Sequence, residues 1–337
     1  MNNLLDPAIL FFLFGAFAGL VKSNLEIPAP ISRFLSLYLL MALGLKGGFA
    51  LAESGFTLEV VRSLGVAMTL AVLVPLLGYV VLRRWLSGLD AAAVAATYGS
   101  VSAVTFITAV QTLDNQGLPY GGHMAAAMAL MESPAIILAV VLANTLRQRA
   151  SVGAGLNVNG HSAALTAPSP GGQGLSMGKV LHESFTDGAQ LLLLGAMVVG
   201  FVTGDTGQAA MKPFTGDLFK GMLAFFLLDM GLLAARNLPK VKGQSPWLIA
   251  YGVVGPLVHA TLALGLAVLL DIAAGDAALL MVLAASASYI AVPAVLRHAI
   301  PEANPSLYFG LSLGITFPLN ILFGIPLYIG VAHAVLG

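Results

Sequence analysis

The sequence predicts an all-α integral membrane protein with ten transmembrane helices in two inverted five-helix repeats, in which helices four and nine are broken and cross each other. Three observations lead to this prediction. The composition is strongly apolar, ten apolar segments are long enough to cross a bilayer, and one stretch of the first half resembles a stretch of the second half.

The composition indicates that most of the protein surface faces lipid. The chain has 337 residues, of which 58% are hydrophobic and 9% are charged, whereas soluble domains carry about 25% charged residues. A formal net charge of zero gives no electrostatic basis for binding nucleic acid. The absence of cysteine excludes disulfides, thiol nucleophiles and thiolate metal sites. The N-terminal segment lacks the basic start of a cleavable signal, so we expect it to lead directly into the first span.

Ten apolar segments follow one another along the chain. A helix needs about 20 apolar residues to cross about 30 Å of hydrocarbon. Because a backbone in lipid must satisfy its own hydrogen bonds, and because the apolar runs are continuous rather than alternating, helices are favoured over barrel strands. The predicted spans cover residues 7–22, 33–52, 62–82, 90–112, 121–146, 180–202, 216–235, 247–270, 276–298 and 306–335.

The basic residues of the loops predict the orientation. With the N terminus outside, eleven Lys and Arg residues lie inside and three outside, as expected for cytoplasmic loops. Both termini are then extracytoplasmic, in a cytoplasmic (inner) membrane. Residues 1–147 form the first repeat and residues 180–337 the second. Residues 148–179, rich in Gly, Ser, Ala and Pro, are expected to be a flexible cytoplasmic linker.

The internal repeat joins the two halves. Residues 90–104 (DAAAVAATYGSVSAV) resemble residues 276–290 (DAALLMVLAASASYI). The alignment pairs Asp90 with Asp276, Ser100 with Ser286, and Ser102 with Ser288. Because each half has five spans, Asp90 lies inside and Asp276 outside, as an inverted repeat requires. Chance similarity between alanine-rich helices is the alternative. Inverted repeats are typical of transporters that bind their substrate near the bilayer midplane.

Spans four and nine are expected to break where the two repeated stretches carry small polar residues. Gly99 and Ser100 are poor helix formers, and Pro293 removes a backbone donor in span nine. A broken helix exposes N–H groups that suit an anion and carbonyl groups that suit Na⁺. The alternative is that these residues serve only as small packing residues between helices. The candidate site residues that the two breaks themselves indicate are the hydroxyl residues Ser100, Ser102, Thr105, Ser286 and Ser288.

Ionisable residues inside the spans are further candidates, because charges are costly in a membrane. Glu132 precedes Pro134 in span five; it is expected to bind a cation, to relay a proton, or to cap a half-helix that begins at Pro134. Asp229 in span seven is a similar candidate. Lys46 in span two is expected to pair with an acidic group or to extend to the interface. His259 in span eight is more typical of a packing residue than of a ligand.

Enzymatic functions find little support in the sequence. It contains no HExxH metalloprotease motif, no GxSxG nucleophile elbow and no P-loop. An intramembrane hydrolase would rest only on Glu132 and Asp229. An ion gradient is therefore the expected energy source, and no cofactor other than Na⁺ as coupling ion is expected.

Several motifs resemble the sodium-dependent bicarbonate permease family. They are LGLKGG at 43–48, YGSVSAVT at 98–105, LMESPAIILAVVLAN at 130–144, HESFTDGAQLLLLG at 182–195 and ASASYIAVPAVLRHAIPEANPSLYFG at 285–310. The resemblance implies an elevator-type carrier in which substrate and Na⁺ bind where broken helices four and nine cross. The site residues that it implies in this sequence are Gly99, Ser100, Ser102, Thr105, Ser286, Ser288 and Tyr289. It also implies a trimer and, in some organisms, a PII-like cytoplasmic regulator.

Two positions depart from the cyanobacterial members of that family. Tyr289 stands where those members have an acidic residue, and Ala103 stands where they have glycine. On the resemblance as a whole, we expect a Na⁺-coupled symporter for a small anion, with bicarbonate as the first candidate. A carrier of another small carboxylate or of a neutral solute, and a membrane sensor that binds solute without moving it, are the alternatives.

Overall fold

The computed structural model describes residues 5–155, 188–241 and 243–337, with the side chains of 148–155 excepted. These ranges contain helices and no strand. The helices are α1 (Pro7–Leu20), α2 (Ala29–Ser54), α3 (Leu58–Leu82), α4 (Gly88–Gly99), α5 (Ala103–Gln116), α6 (Met124–Gly155), α7 (Gly188–Thr215), α8 (Asp217–Asn237), α9 (Pro246–Leu269), α10 (Ala274–Ala285), α11 (Ala291–Ala299) and α12 (Pro305–Leu336).

The helices confirm the prediction of an all-α protein that passes the membrane several times. Within the described ranges, eight helical stretches are long and apolar enough to cross a membrane, while α1 and α10 are shorter apolar helices. One of the eight stretches is made of α4 and α5 together. The predicted spans overlap the described helices, but the count of ten transmembrane helices stays a prediction.

Short-range sequence signals set the ends of several helices. Asp6 caps α1 by accepting a hydrogen bond from the Ala8 amide at 2.8 Å, and Ser87 caps α4 by accepting one from the Asp90 amide at 3.1 Å. Proline occupies the first turn of α1, α2, α9 and α12, where its missing N–H has no partner to lose. Such signals are local, which is why these helices begin close to the predicted residues.

Helix α6 differs from one prediction. It passes through Pro134 as one continuous helix, so no half-helix begins there and the expected capping role of Glu132 is wrong. A proline inside a transmembrane helix is tolerated when the surrounding helices compensate for the lost hydrogen bond. The backbone of α6 stays helical through Gly155. The rest of the predicted linker and the predicted start of the sixth span lie outside the described residues.

Glycines allow two helix pairs to approach with their backbones in contact. A Cβ atom at Gly15 of α1 would lie 2.1 Å from the Leu228 carbonyl oxygen of α8, and one at Gly48 of α2 would lie 2.1 Å from the Met197 carbonyl oxygen of α7. Small residues permit such close packing between transmembrane helices. Helices α1, α2, α7 and α8 therefore form one group, the glycine-packed group. The other helices form a second group, in which α3 and α6 pack against α4, and α9 and the C-terminal end of α12 pack against α10.

Candidate functional site

The first helix break lies between α4 and α5. Ser100 is extended, with φ of −93° and ψ of −177°, so the helix cannot continue through it. Ser102 begins the next helix, since its Oγ accepts hydrogen bonds from the Thr105 amide at 3.2 Å and from Thr105 Oγ1 at 2.9 Å. Gly99 lies directly before the break. Pro75 of α3 occupies the space that a side chain at this position would need, because a Cβ atom at Gly99 would lie 2.5 Å from Pro75 Cβ.

The second break lies between α10 and α11. Helix α10 ends at Ala285 and α11 begins at Ala291. Ser288 lies in the break, and its Oγ accepts a hydrogen bond from the Val292 amide in the first turn of α11 at 3.3 Å. Ser288 therefore stands at the start of α11 as Ser102 stands at the start of α5. The breaks predicted at Ser100–Thr105 and Ser286–Pro293 are present in the structure.

The two breaks contact each other directly. The Ser102 amide donates to Ser286 Oγ at 2.9 Å, and the Ser288 amide donates to the Thr97 carbonyl oxygen at 2.8 Å. Thr97 belongs to the last turn of α4, whose carbonyl groups lack partners within the helix. We name the crossing formed by residues 97–105 and 285–292 the crossover.

Aligned serines of the two breaks are used differently. Ser286 Oγ accepts from the Ser102 amide and donates to the Leu283 carbonyl oxygen at 2.9 Å. Ser100 Oγ is equally buried but has no hydrogen-bond partner among the described residues. A buried hydroxyl without a partner is uncommon in proteins. Ser100 thus retains hydrogen-bonding and ion-binding capacity at the crossover.

A cavity with a volume of about 210 Å³ adjoins the crossover. It lies at the N-terminal ends of α5 and α11, where residues 101–104 and 288–291 line it. Residues of α2, α6 and α7 complete the wall, so the cavity lies between the glycine-packed group and the second group of helices. The polar lining residues are Ser36, Ser102, Glu132, Gln190, Ser288 and Tyr289.

Glu132 and Gln190 connect the two groups of helices across this cavity. Gln190 Nε2 of α7 donates a hydrogen bond to Glu132 Oε2 of α6 at 2.6 Å. Binding a cation and relaying a proton, the other two roles considered for Glu132, stay predictions.

Tyr289 fills part of the space beside the crossover. Its side chain is 6% exposed, its Oη lies 3.5 Å from Met230 Sδ of α8, and its ring packs edge-on against Phe317 with a centroid distance of 5.3 Å. Asp229 is the residue before Met230, but it does not line the cavity. Its carboxylate accepts a hydrogen bond from the Ser32 hydroxyl of α2.

The structure brings together most of the predicted candidates but separates one. Four line the cavity (Ser102, Glu132, Ser288 and Tyr289), and four lie in the adjoining crossover (Gly99, Ser100, Thr105 and Ser286). Asp229 lies in the glycine-packed group, outside the cavity lining. Across the described ranges, no group of three or more His, Asp or Glu side chains is placed to hold a metal ion.

Sequence reasoning missed two polar residues of the cavity. Ser36 lies within an apolar run of α2, and Gln190 lies at the start of the apolar run of α7. Neither position carries a local signal, because single polar residues near a helix end are common. Lys46 does pair with an acidic group as predicted: its Nζ lies 2.8 Å from Asp114 Oδ2 of α5.

Comparison with known proteins gives one match. The family model described as the Na⁺-dependent bicarbonate transporter superfamily matches residues 7–333, which is nearly the whole chain. No curated protein matches the sequence.

Proposed function

Because the chain belongs to the Na⁺-dependent bicarbonate transporter superfamily and is a multi-pass membrane protein rather than an enzyme, we propose that it is a secondary-active carrier that imports a small anion together with Na⁺. One observation carries the proposal. Two interrupted helices are hydrogen-bonded to each other beside a cavity that faces the N-terminal ends of α5 and α11.

The anion binds at these helix N-termini. A helix N-terminus offers amide donors and a partial positive charge, which together favour an anion. Ser102 and Ser288 place their hydroxyl groups at the same ends and line the cavity. No basic side chain lines the cavity within the described ranges, so the helix ends and the hydroxyl groups supply the positive potential.

Na⁺ binds close to the anion as the coupling ion. Na⁺ prefers oxygen ligands, and the proposed ligands are Ser100 Oγ, which has no partner among the described residues, and the carboxylate of Glu132, which lines the cavity. Asp229 does not line the cavity and contributes to the local potential rather than to direct contact. Binding of Na⁺ neutralises part of the Glu132 charge and thereby favours an anion in the same cavity.

Residues 1–147 and 180–337 form two inverted repeats. Aligned aspartates support this organisation. Asp90 at the start of α4 accepts a hydrogen bond from the Asn304 amide, which follows α11, at 2.8 Å. Asp276 at the start of α10 accepts one from the Gly121 amide, which follows α5, at 2.6 Å. Each repeat thus binds the loop that follows the broken helix of the other repeat.

Transport occurs by an elevator-like movement of the second group of helices past the glycine-packed group. The position of the cavity between the groups supports this mechanism, because sliding one group past the other carries the crossover from one membrane face to the other. Both termini are extracytoplasmic, residues 148–179 are a cytoplasmic linker, and the protein acts in the inner membrane as a trimer. A PII-like regulator is a possible cytoplasmic partner that the family suggests.

The test is uptake of labelled bicarbonate by purified protein in liposomes, with and without an inward Na⁺ gradient. Ser288→Leu is expected to abolish uptake because it fills the N-terminal end of α11. Thr261→Leu is the matched control, since Thr261 is an exposed residue of α9 that bonds only within its own helix. Equal uptake by the two variants would remove the crossover from the mechanism. Anion binding without flux, across a panel of anions, would identify a sensor instead.

A further inference from the structure

The cavity beside the crossover is lined mainly by hydrocarbon side chains. They come from helices of both groups and surround the hydroxyl groups of Ser102 and Ser288. The larger ones are Leu40, Val104, Met128, Ile136, Leu193 and Val295. All six residues are buried or half-buried in the fold.

This lining does not match an anion that lacks apolar surface. Bicarbonate has four heavy atoms, all of which are polar or bonded to polar atoms. A bound bicarbonate would leave the hydrocarbon wall in contact with water, whereas burying a hydrocarbon chain against that wall is favourable.

We propose that the preferred substrate is a small monocarboxylate with a short hydrocarbon chain, which the mainly apolar lining of the cavity would bury. The inference rests on the proposed function and specifies its substrate. The carboxylate binds at the N-terminal ends of α5 and α11, beside Ser102 and Ser288. The chain packs against Leu40 of α2 and Leu193 of α7, which belong to the opposite group of helices. The substrate therefore contacts both groups that move in transport.

Chain length is the quantity that tests the inference. Each methylene buried in an apolar site improves the dissociation constant about fourfold. We expect affinity to rise through acetate, propanoate, butanoate and pentanoate, and to stop rising once the chain exceeds the cavity. The measurement is isothermal titration of the full-length protein in detergent with Na⁺ present, with bicarbonate as the reference anion.

Ala129→Leu is the informative variant. Ala129 is a buried residue of α6 that lines the cavity, and a leucine there occupies the space of the substrate chain. The variant is expected to lose the preference for pentanoate over acetate while still binding acetate. Ala52→Leu makes the same chemical change at an exposed position of α2 outside the cavity and should bind as the wild type does.

Four outcomes decide between the substrate class and the proposed function. Rising affinity with chain length, lost in Ala129→Leu only, supports the inference. Na⁺-dependent uptake of bicarbonate without binding of longer carboxylates overturns the inference and leaves the carrier intact. Tighter binding of valine than of pentanoate overturns it in favour of a zwitterionic substrate. Absence of Na⁺-dependent uptake of every anion, in a protein that elutes as a single folded species, overturns the carrier itself.

Discussion

The aligned serines of the crossover make a matched pair of substitutions. Ser286→Ala removes the oxygen that accepts a hydrogen bond from the buried Ser102 amide at 2.9 Å. An amide left without a partner in a buried site costs about 1–3 kcal/mol. Ser100→Ala removes a hydroxyl that has no partner among the described residues, so it leaves no group unpaired. We expect Ser100→Ala not to lower the free energy of unfolding, because a buried hydroxyl without a partner is itself unfavourable.

The assay is unfolding of each purified variant by increasing SDS fraction in mixed micelles, followed by far-ultraviolet circular dichroism. Without Na⁺ or substrate, Ser286→Ala should unfold at a lower SDS fraction than the wild type, and Ser100→Ala should coincide with it. Both substitutions delete the same atom from residues that are 1% exposed. Differences in burial or chain entropy therefore cannot account for the contrast.

Adding Na⁺ separates stability from function. A ligand that binds only the folded state stabilises it, and the stabilisation grows with the logarithm of the ligand concentration above the dissociation constant. Na⁺ should stabilise the wild type and Ser286→Ala, and it should stabilise Ser100→Ala less, because that variant lacks the oxygen proposed to contact the ion. Equal destabilisation by the two alanines without Na⁺ would refute the asymmetric hydrogen bonding of the crossover. Equal stabilisation by Na⁺ would remove Ser100 from the ion site.

The remaining predictions concern packing and charge outside the cavity. Gly231→Ala should destabilise the protein by about 1–3 kcal/mol, because its Cβ atom would lie 2.1 Å from a carbonyl oxygen of α1; Gly221→Ala in the same helix meets no atom within 4 Å and should be neutral or stabilising, as judged by thermal unfolding. A double-mutant cycle of Lys46→Met and Asp114→Asn should give a coupling energy of about 0.2–1 kcal/mol, since both side chains are partly exposed; a value near zero would show that the pair does not hold α2 to α5. The pKa of Glu302 lies below its usual range because the Arg147 guanidinium of α6 donates a hydrogen bond to its carboxylate. The pair therefore stabilises the protein above the ordinary glutamate pKa of about 4.3 and ceases to do so as the pH falls through the lowered value. Glu302→Gln should remove that pH dependence in an acid titration of stability.

Hydropathy predicted the helices well, because the requirement for an apolar, internally hydrogen-bonded segment acts residue by residue along the chain. The two breaks were also predictable, since Gly99, Ser100 and Pro293 each disfavour a continuing helix for local reasons. Pro134 shows the limit of this approach. It carries the same local signal as Pro293, yet α6 continues through it, because the packing around a helix decides whether a lost hydrogen bond ends it.

The composition of the cavity was not predictable from the sequence. Gln190 lies far from Glu132 along the chain. Only the packing of α7 beside α6 brings Gln190 Nε2 to 2.6 Å from Glu132 Oε2. The same holds for Asp229, which appeared equivalent to Glu132 as an acidic residue in an apolar run. The structure places Asp229 in the glycine-packed group with the Ser32 hydroxyl as its partner, and of the two carboxylates only that of Glu132 lines the cavity.

The hydrogen bonds of the crossover explain why the protein can keep two broken helices inside a membrane. An unpaired backbone group in hydrocarbon costs several kcal/mol. Here the Ser288 amide binds the Thr97 carbonyl oxygen, the Ser102 amide binds Ser286 Oγ, and Asn320 Nδ2 binds the Ala285 carbonyl oxygen at 2.8 Å. Side chains and the opposite break thus satisfy groups that helix ends would leave unpaired. In the proposed mechanism, stability and function then draw on different atoms of the same short segments, because these contacts use neither Ser100 Oγ nor the helix ends that face the cavity. On that proposal, a substrate enters and leaves without unfolding the crossover.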